Sequence, residues 1–570
     1  MRLLLNAFFY KIFSLFTAVV CMFSNLIDLP AAEKQETLQY PIDGDGTSYV
    51  GDGRLCVHDP SVVQDKDGKF YVFGSHGAAG KTDDLKNWEN VANGAHDNNR
   101  MLVPEGSTLR EALKEPLAWT DTFQILHGYD EAVWETGQWA ADVIYNEAMG
   151  KYCYYACSSV WGTVNSVIWF GTSDNINGPY EDIKCIVYSG FDDITRGPVV
   201  PKYPTHYSFT NIGTLLEEGV FSRRQVEKAD WFNADGYYDN SVFPNAIDPT
   251  VFYDKNGELW MVYGSYSGGI YIIPLIEDTG EPDYQYMKKA DGYDMYFGKR
   301  LSRTNEYNEW TGEGPYITYD PLSDYYYLYI SYCGLHALGG YNIREYRSSS
   351  VDGPYLDAAG NDALDYINSG VKLFGNYKFE CLDTAYLAGG HSSSIVAKDG
   401  KMFQVYHTRF SYGNEWHQVR VHQMARTKNG WATVLPFEYT DEVIDYTGFN
   451  KSLLAGEYEF INHGTISNGC DDWSGVDGII APTQSITLNA DGTMSGIKAY
   501  EATKQNTAVA AKDVDGSWSV EDGTAYITFE INSVKYEGVF CKQTEENTGK
   551  EKIVFSAVGE NNECIWGVKK

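Results

Sequence analysis

The sequence predicts an all-β protein, a five-bladed β-propeller followed by a small antiparallel β-barrel or sandwich. Three observations predict it. A turn-and-strand unit recurs five times between Asp65 and His407, an Asp-Pro-Ser/Thr-Val unit occurs twice, and beyond Asp445 the pattern changes to short alternating segments separated by Asp-Gly or Gly turns.

In chain order, the first 32 residues carry Arg2 and Lys11 around apolar stretches and end in the small pair Ala31-Ala32, the pattern of a cleaved secretory signal. Cys21 raises the alternative of a lipid anchor, but Thr17-Ala-Val-Val-Cys21 lacks the small residue expected before a lipidated cysteine, so release is predicted. Residues 33–53, polar and rich in Asp and Gly, form an exposed lead-in. No later stretch is apolar enough to span a bilayer.

The propeller is assigned to residues 54–445. Its repeats are Asp65–Ser75, Asn146–Ser158, Asp254–Ser265, Asp320–Ser331 and Lys398–His407, each a polar turn leading into aromatic and β-branched residues. Such a unit is a hairpin turn and a strand buried on both faces, and repetition of it fits radially arranged blades better than a sandwich. Two insertions, Asp97–Glu135 with an amphipathic stretch around Leu109 to Leu117 and Asp192–Asn240, interrupt the repeats and are expected to cover one face. Residues 451–570 form the second domain, with strands expected around 485–489, 516–520, 525–529 and 552–556.

Composition narrows function. The 570 residues carry a formal net charge of −34, which disfavours nucleic acid and anionic membrane as partners. A neutral ligand fits better. Aromatics make up 15% of residues, with 45 tyrosines, a surplus suited to stacking on sugar rings as well as to strand packing. Ten cysteines without paired spacing are no disulfide framework, and Cys153 and Cys157 are expected in the core rather than on zinc.

The chemistry concentrates in carboxylates. Val57-His-Asp-Pro-Ser-Val62 and Asn245-Ala-Ile-Asp-Pro-Thr-Val251 each place an aspartate, Asp59 or Asp248, before a proline at the mouth of a strand. Proline biases the preceding residue towards extended backbone. One Asp-Pro merely opens a turn; two in matching contexts indicate a device used twice. Glu313 stands between Gly312 and Gly314, where the backbone can approach a ligand closely.

These three motifs, in this order on a five-blade repeat, resemble glycoside hydrolase family 43, over about residues 54 to 445. Trp139-Ala-Ala-Asp142, Gly264-Ser-Tyr-Ser-Gly-Gly-Ile270, Gly389-Gly-His391-Ser-Ser and Tyr406-His-Thr-Arg-Phe410 extend the resemblance. Ala141 stands where the family usually has proline. Length and the second domain are most similar to the two-domain extracellular endo-α-1,5-L-arabinanases. The resemblance implies Asp59 as general base, Glu313 as general acid and Asp248 as the carboxylate that raises and orients the acid. It implies a calcium or similar ion in the central channel at His391, held largely through water; imidazole is an unusual calcium ligand, which leaves the metal's identity open. Trp134, Trp139, Trp161 and Tyr266 are stacking candidates, of which Trp139 is preferred. Asp142, Asn245 and Ser267 are the polar groups assigned to substrate.

The expected protein is a secreted, monomeric, inverting endo-arabinanase acting on plant arabinan. An exo-acting α-L-arabinofuranosidase or β-xylosidase would use the same carboxylates, and a non-catalytic carbohydrate-binding propeller would need none of them.

Overall fold

A computed structural model describes residues 50–51, 54–126, 137–193, 205–303, 312–337, 339–366, 369–410, 415–465, 480–502 and 508–570. The signal segment, most of the lead-in and Trp134 lie outside the described residues.

Between Arg54 and Glu438 the chain builds five antiparallel sheets, each from strands consecutive in sequence. Blade 1 comprises Ser61–Gln64, Phe70–Phe73, Ala79–Thr82 and Glu89–Ala92. Blade 2 comprises Gln138–Asn146, Lys151–Ser159, Ser166–Ser173 and Glu181–Ser189. Blade 3 is built on Thr250–Tyr253, Leu259–Tyr263, Ile270–Pro274 and Gly298–Ser302, with the short edge strand Tyr293–Asp294. Blade 4 comprises Glu313–Asp320, Tyr325–Tyr332, Asn342–Ser348 and Val371–Phe374, and blade 5 Tyr386–Val396, Met402–Phe410, His417–Arg426 and Ala432–Glu438. The five repeated segments supply the second strand of every blade, and these strands are buried almost throughout. Burial on both faces is what a sheet sandwiched between neighbouring blades requires.

The first strands of successive blades pack against one another, with blade 5 against blade 1. Among the described residues no strand is shared across that last junction. It is closed by side chains: Leu55, Val57, Val62 and Phe70 meet Phe403, Val405, Val419 and Tyr439 in one apolar cluster, and Arg54 forks onto Glu438.

The insertions become helices. Leu109–Ala112, opened by a Thr108 capping box, packs on Lys114–Leu126, which lies against blade 2, and Leu109, Leu113, Leu117 and Trp119 are buried in the same apolar cluster as that blade. Asn211–Glu217 lies against the outer strand of the same blade. Beyond the propeller, eight strands from Gly456–Asn462 to Cys564–Lys569 close into a barrel. Trp566 joins Phe374, Tyr377 and Phe379 in a core shared with blades 4 and 5. The Gln543 amide bonds both the N–H and the C=O of Phe437, at 3.1 and 3.0 Å, like an additional stretch of backbone.

Cysteine usage differs from expectation at one position. Cys153, Cys157, Cys185, Cys381, Cys541 and Cys564 are free, whereas Cys333 is disulfide-bonded.

Candidate active site

At the axis each blade repeats one backbone feature. Asp59, Ala140, Asp248, Gly314 and His391 all have positive φ, between 42° and 59°. Each stands two residues ahead of an equivalent pleat position, Ser61, Asp142, Thr250, Tyr316 and Ser393. The two aspartates therefore depart from the extended backbone expected before proline. A left-handed turn holds them, at a local cost of order 1–3 kcal/mol, because contacts from other blades determine the geometry. The Asp59 N–H donates to His407 Nδ1 at 3.2 Å, and Asp248 Oδ2 accepts the Gly314 N–H at 3.1 Å. The turn aims both carboxylates at the axis.

Gly314 is glycine for a reason the other four positions do not share. A Cβ there would lie 2.9 to 3.0 Å from the His391 ring, so the missing side chain makes room for the imidazole.

Asp59 is buried, and three protein groups address its oxygens. His58 Nδ1 lies 2.7 Å and His391 Nδ1 3.0 Å from Oδ1, and the Ser75 hydroxyl donates to Oδ2. Burial by itself would raise its pKa; His391 and His58 outweigh burial and hold it well below the usual carboxylate range. Glu313 opens blade 4's first strand. Tyr341 OH donates to its Oε1 at 2.7 Å and Ser265 Oγ to its Oε2 at 3.2 Å. Burial first and the Asp248 charge second push its pKa up to about 7. Asp248 is itself pushed well above the carboxylate range, by burial and by the charge of Asp59. The axis thus holds one carboxyl low and two high.

The residues assigned to substrate divide. Trp139 is half-buried, and its indole meets Trp161 edge-on at 5.9 Å; Trp161 is 63% exposed. Ser267, half-buried, sits beside Tyr266 in the loop before Ile270, both with positive φ. Asp142 and Asn245 require correction, because both are buried with their polar atoms engaged internally. Asp142 accepts from the Ser61 hydroxyl of blade 1 and, at 2.6 Å, from the Val251 N–H of blade 3. It staples three blades. Burial pushes its pKa up to about 6. The Asn245 amide oxygen accepts from Ser166 Oγ at 2.7 Å and Ser189 Oγ at 3.3 Å, and the amide nitrogen points at Thr163 O. It ties the loop of Asp248 to blade 2.

Sequence reasoning missed Tyr341, Ser75, Ser265, His58 and His407. His58 and His407 stood inside quoted motifs without a role; the adjacency of His58 to the base was the available signal.

The narrow axial cavity, about 10 Å³, is lined by all five blades, among them Asp59, Asp248, Gly314, His391 and Ser392. It has room for about one water-sized occupant. Ser392 Oγ, Ser393 Oγ and His407 Nε2 are buried there or nearby without a protein partner. Unspent hydroxyl and imidazole atoms beside two carboxyls suit a cation in their chemistry, but a cavity of this size admits one water-sized occupant and not an ion with a shell of water.

Comparison with known proteins bears on the reading. Residues 225–432 match "Glycosyl hydrolases family 43" and residues 436–567 a "C-terminal lipocalin-like domain". The chain is 35% identical, over 90% of its length and 93% of the relative's, to an extracellular endo-α-(1→5)-L-arabinanase of Thermotoga petrophila. The chain belongs to glycoside hydrolase family 43. A second relative, extracellular endo-α-(1→5)-L-arabinanase 2 of Bacillus subtilis, is 34% identical over 90% of this chain and 93% of its own. The crystal structure of an endo-1,5-α-L-arabinanase from Thermotoga petrophila superposes with a TM-score of 0.70 at 33% identity, covering 90% of this chain and 98% of that one.

Proposed function

We propose that this family 43 hydrolase is an extracellular endo-α-1,5-L-arabinanase that cleaves internal linkages of arabinan with inversion. The observation that carries the assignment of roles is the split among the axial carboxyls: Asp59 held low, Glu313 raised to about 7. Two carboxyls driven apart by their surroundings are what a base and an acid working at one pH require. The names of the two relatives above support arabinan as substrate, and "extracellular" in both supports secretion.

In this reading Asp59, ionised, takes a proton from a water on one face of the arabinofuranose ring. That water attacks the anomeric carbon while Glu313 gives its proton to the leaving oxygen on the opposite face. Inverting sites hold their two carboxyls about 6.5–9.5 Å apart to admit the water. Asp248 raises Glu313 by its charge and, through the Gly314 N–H, fixes the backbone beside the acid. Trp139 and Trp161 offer an aromatic platform at the mouth, with Ser267 for sugar hydroxyls.

His391 and Ser392 would hold a calcium ion at the axial cavity, whose lining would have to move apart to admit the waters of its oxygen shell. When bound, such an ion supplies a fixed positive charge beside Asp59. Chelation is expected to lower activity and calcium to restore it; indifference to chelators excludes the ion from function.

The deciding experiment is a product time course on linear debranched arabinan. An early ladder of arabino-oligosaccharides, absent for Asp59→Ala, supports endo hydrolysis with Asp59 as base. Monomer alone from the outset points to an exo-acting arabinofuranosidase, release from xylan alone to a xylosidase, and binding without product to a carbohydrate-binding propeller.

A further inference from the structure

Arg409, in the second strand of blade 5, is nearly buried and reaches in two directions. Its Nε pairs with Glu415 Oε2 at 2.8 Å, and its Nη2 lies 3.2 Å from His58 Nε2. Glu415 in turn accepts the Ala337 N–H at 3.0 Å. A guanidinium carries only N–H donors and does not give up its proton in proteins. The contact at 3.2 Å is therefore a hydrogen bond only if His58 Nε2 is a bare acceptor, which places the ring proton on Nδ1. Nδ1 is the atom 2.7 Å from Asp59 Oδ1. The ring has little freedom to choose another pose, since it stacks on His407 at 4.1 Å and meets His417 edge-on at 4.9 Å.

We propose that Arg409 is a positioning residue for the hydrolysis: by occupying His58 Nε2 it fixes the His58 tautomer whose Nδ1–H orients the carboxylate of Asp59. The inference rests on Asp59 being the base. An ionised carboxylate offers about four lone-pair sites. His58 and His391 occupy those of Oδ1, and Ser75 one of Oδ2. One site on Oδ2 is left for the attacking water. If His58 presented a bare Nδ1 instead, two lone pairs would face each other, and the carboxylate would rotate away from that arrangement. Glu415 aims the guanidinium, so the series Glu415, Arg409, His58, Asp59 runs from the loop at Ala337 to the reacting water.

The test is a double-mutant cycle. Arg409→Met should lower kcat about 10- to 100-fold, the scale seen when a group that orients a functional histidine is removed, with KM little changed. Arg409→Lys should recover part of the loss. In His58→Asn the amide N–H stands near the position of Nδ1 and has no tautomer to fix, so adding Arg409→Met to it should change kcat little. Histidine-selective ¹⁵N NMR of the otherwise unaltered protein should show His58 protonated at Nδ1 and bare at Nε2, with His58→Asn identifying the signals. That measurement stands even if Arg409→Met fails to fold. A proton on Nε2, an unaltered kcat in Arg409→Met, or the same loss in both His58 backgrounds would overturn the proposal. Asp59→Asn separates the two levels: activity retained there overturns the base assignment and this inference together, whereas an inactive Asp59→Asn beside a fully active Arg409→Met overturns this inference alone.

Discussion

Replacing Asp248 by asparagine tests the electrostatic coupling at the axis most directly. Asparagine keeps an oxygen for the Gly314 N–H and removes only the charge. Glu313 stands at about 7 against an ordinary 4.5, and burial is the larger cause of that rise with Asp248 second. His391 and the Tyr341 hydrogen bond pull the other way, so the rise is a net one, and the Asp248 charge is assigned about 1 pH unit of it, equivalent to about 1.4 kcal/mol. The rate must decline at high pH, because the acid acts only while protonated. In Asp248→Asn the basic limb of kcat/KM on debranched arabinan, measured from pH 4 to 9, should descend about 1 unit earlier, and should not fall as far as 4.5 because Glu313 remains buried. A limb that stays in place or moves upward would refute the reasoning, and one that moved the whole way would show that the charge, not burial, governs Glu313.

Three further outcomes are expected. Glu313 binds its proton more tightly folded than unfolded, so it imposes no penalty below about 4.5 and its full penalty above about 7; Glu313→Gln should abolish turnover while raising the Tm relative to the parent by an increment that grows across that window and is level beyond it. Asp142→Ala strands the Ser61 hydroxyl and the Val251 N–H, each at about 1–3 kcal/mol, so urea unfolding should show a loss of about 2–6 kcal/mol with KM unchanged; a raised KM without lost stability would return Asp142 to the substrate. A Cβ at Gly390 would lie 2.1 Å from the Tyr341 ring, so Gly390→Ala should displace the phenol from Glu313 and lower kcat as Tyr341→Phe does, the double variant being no worse than either single one.

The blades were legible because the repeated turn and strand are local and each second strand is buried on both faces. The catalytic candidates were legible because Asp-Pro recurs and Glu313 is framed by glycines. What stayed hidden depends on partners remote in the chain. The left-handed turns at Asp59 and Asp248 oppose the local rule for residues before proline, and the contacts that impose them come from His407 and Gly314, in other blades. Asp142 and Asn245 were assigned the right chemistry and the wrong direction, since composition reports what a side chain can bond and not which way it points. Tyr341 gave no signal, one tyrosine among 45. The contact that singles it out reaches across 28 residues to Glu313.

The left-handed residue repeated in every blade separates aim from chemistry. A shared backbone turn directs position five times towards one axis, and what hangs from it differs: a carboxyl at Asp59 and Asp248, an imidazole at His391, a methyl at Ala140, nothing at Gly314. The five positions act as identical mounts, so the charge pattern at the centre can be rewritten one mount at a time without redesigning a loop. Rotational repetition lets the molecule vary its reactivity while the scaffold that does the pointing stays the same.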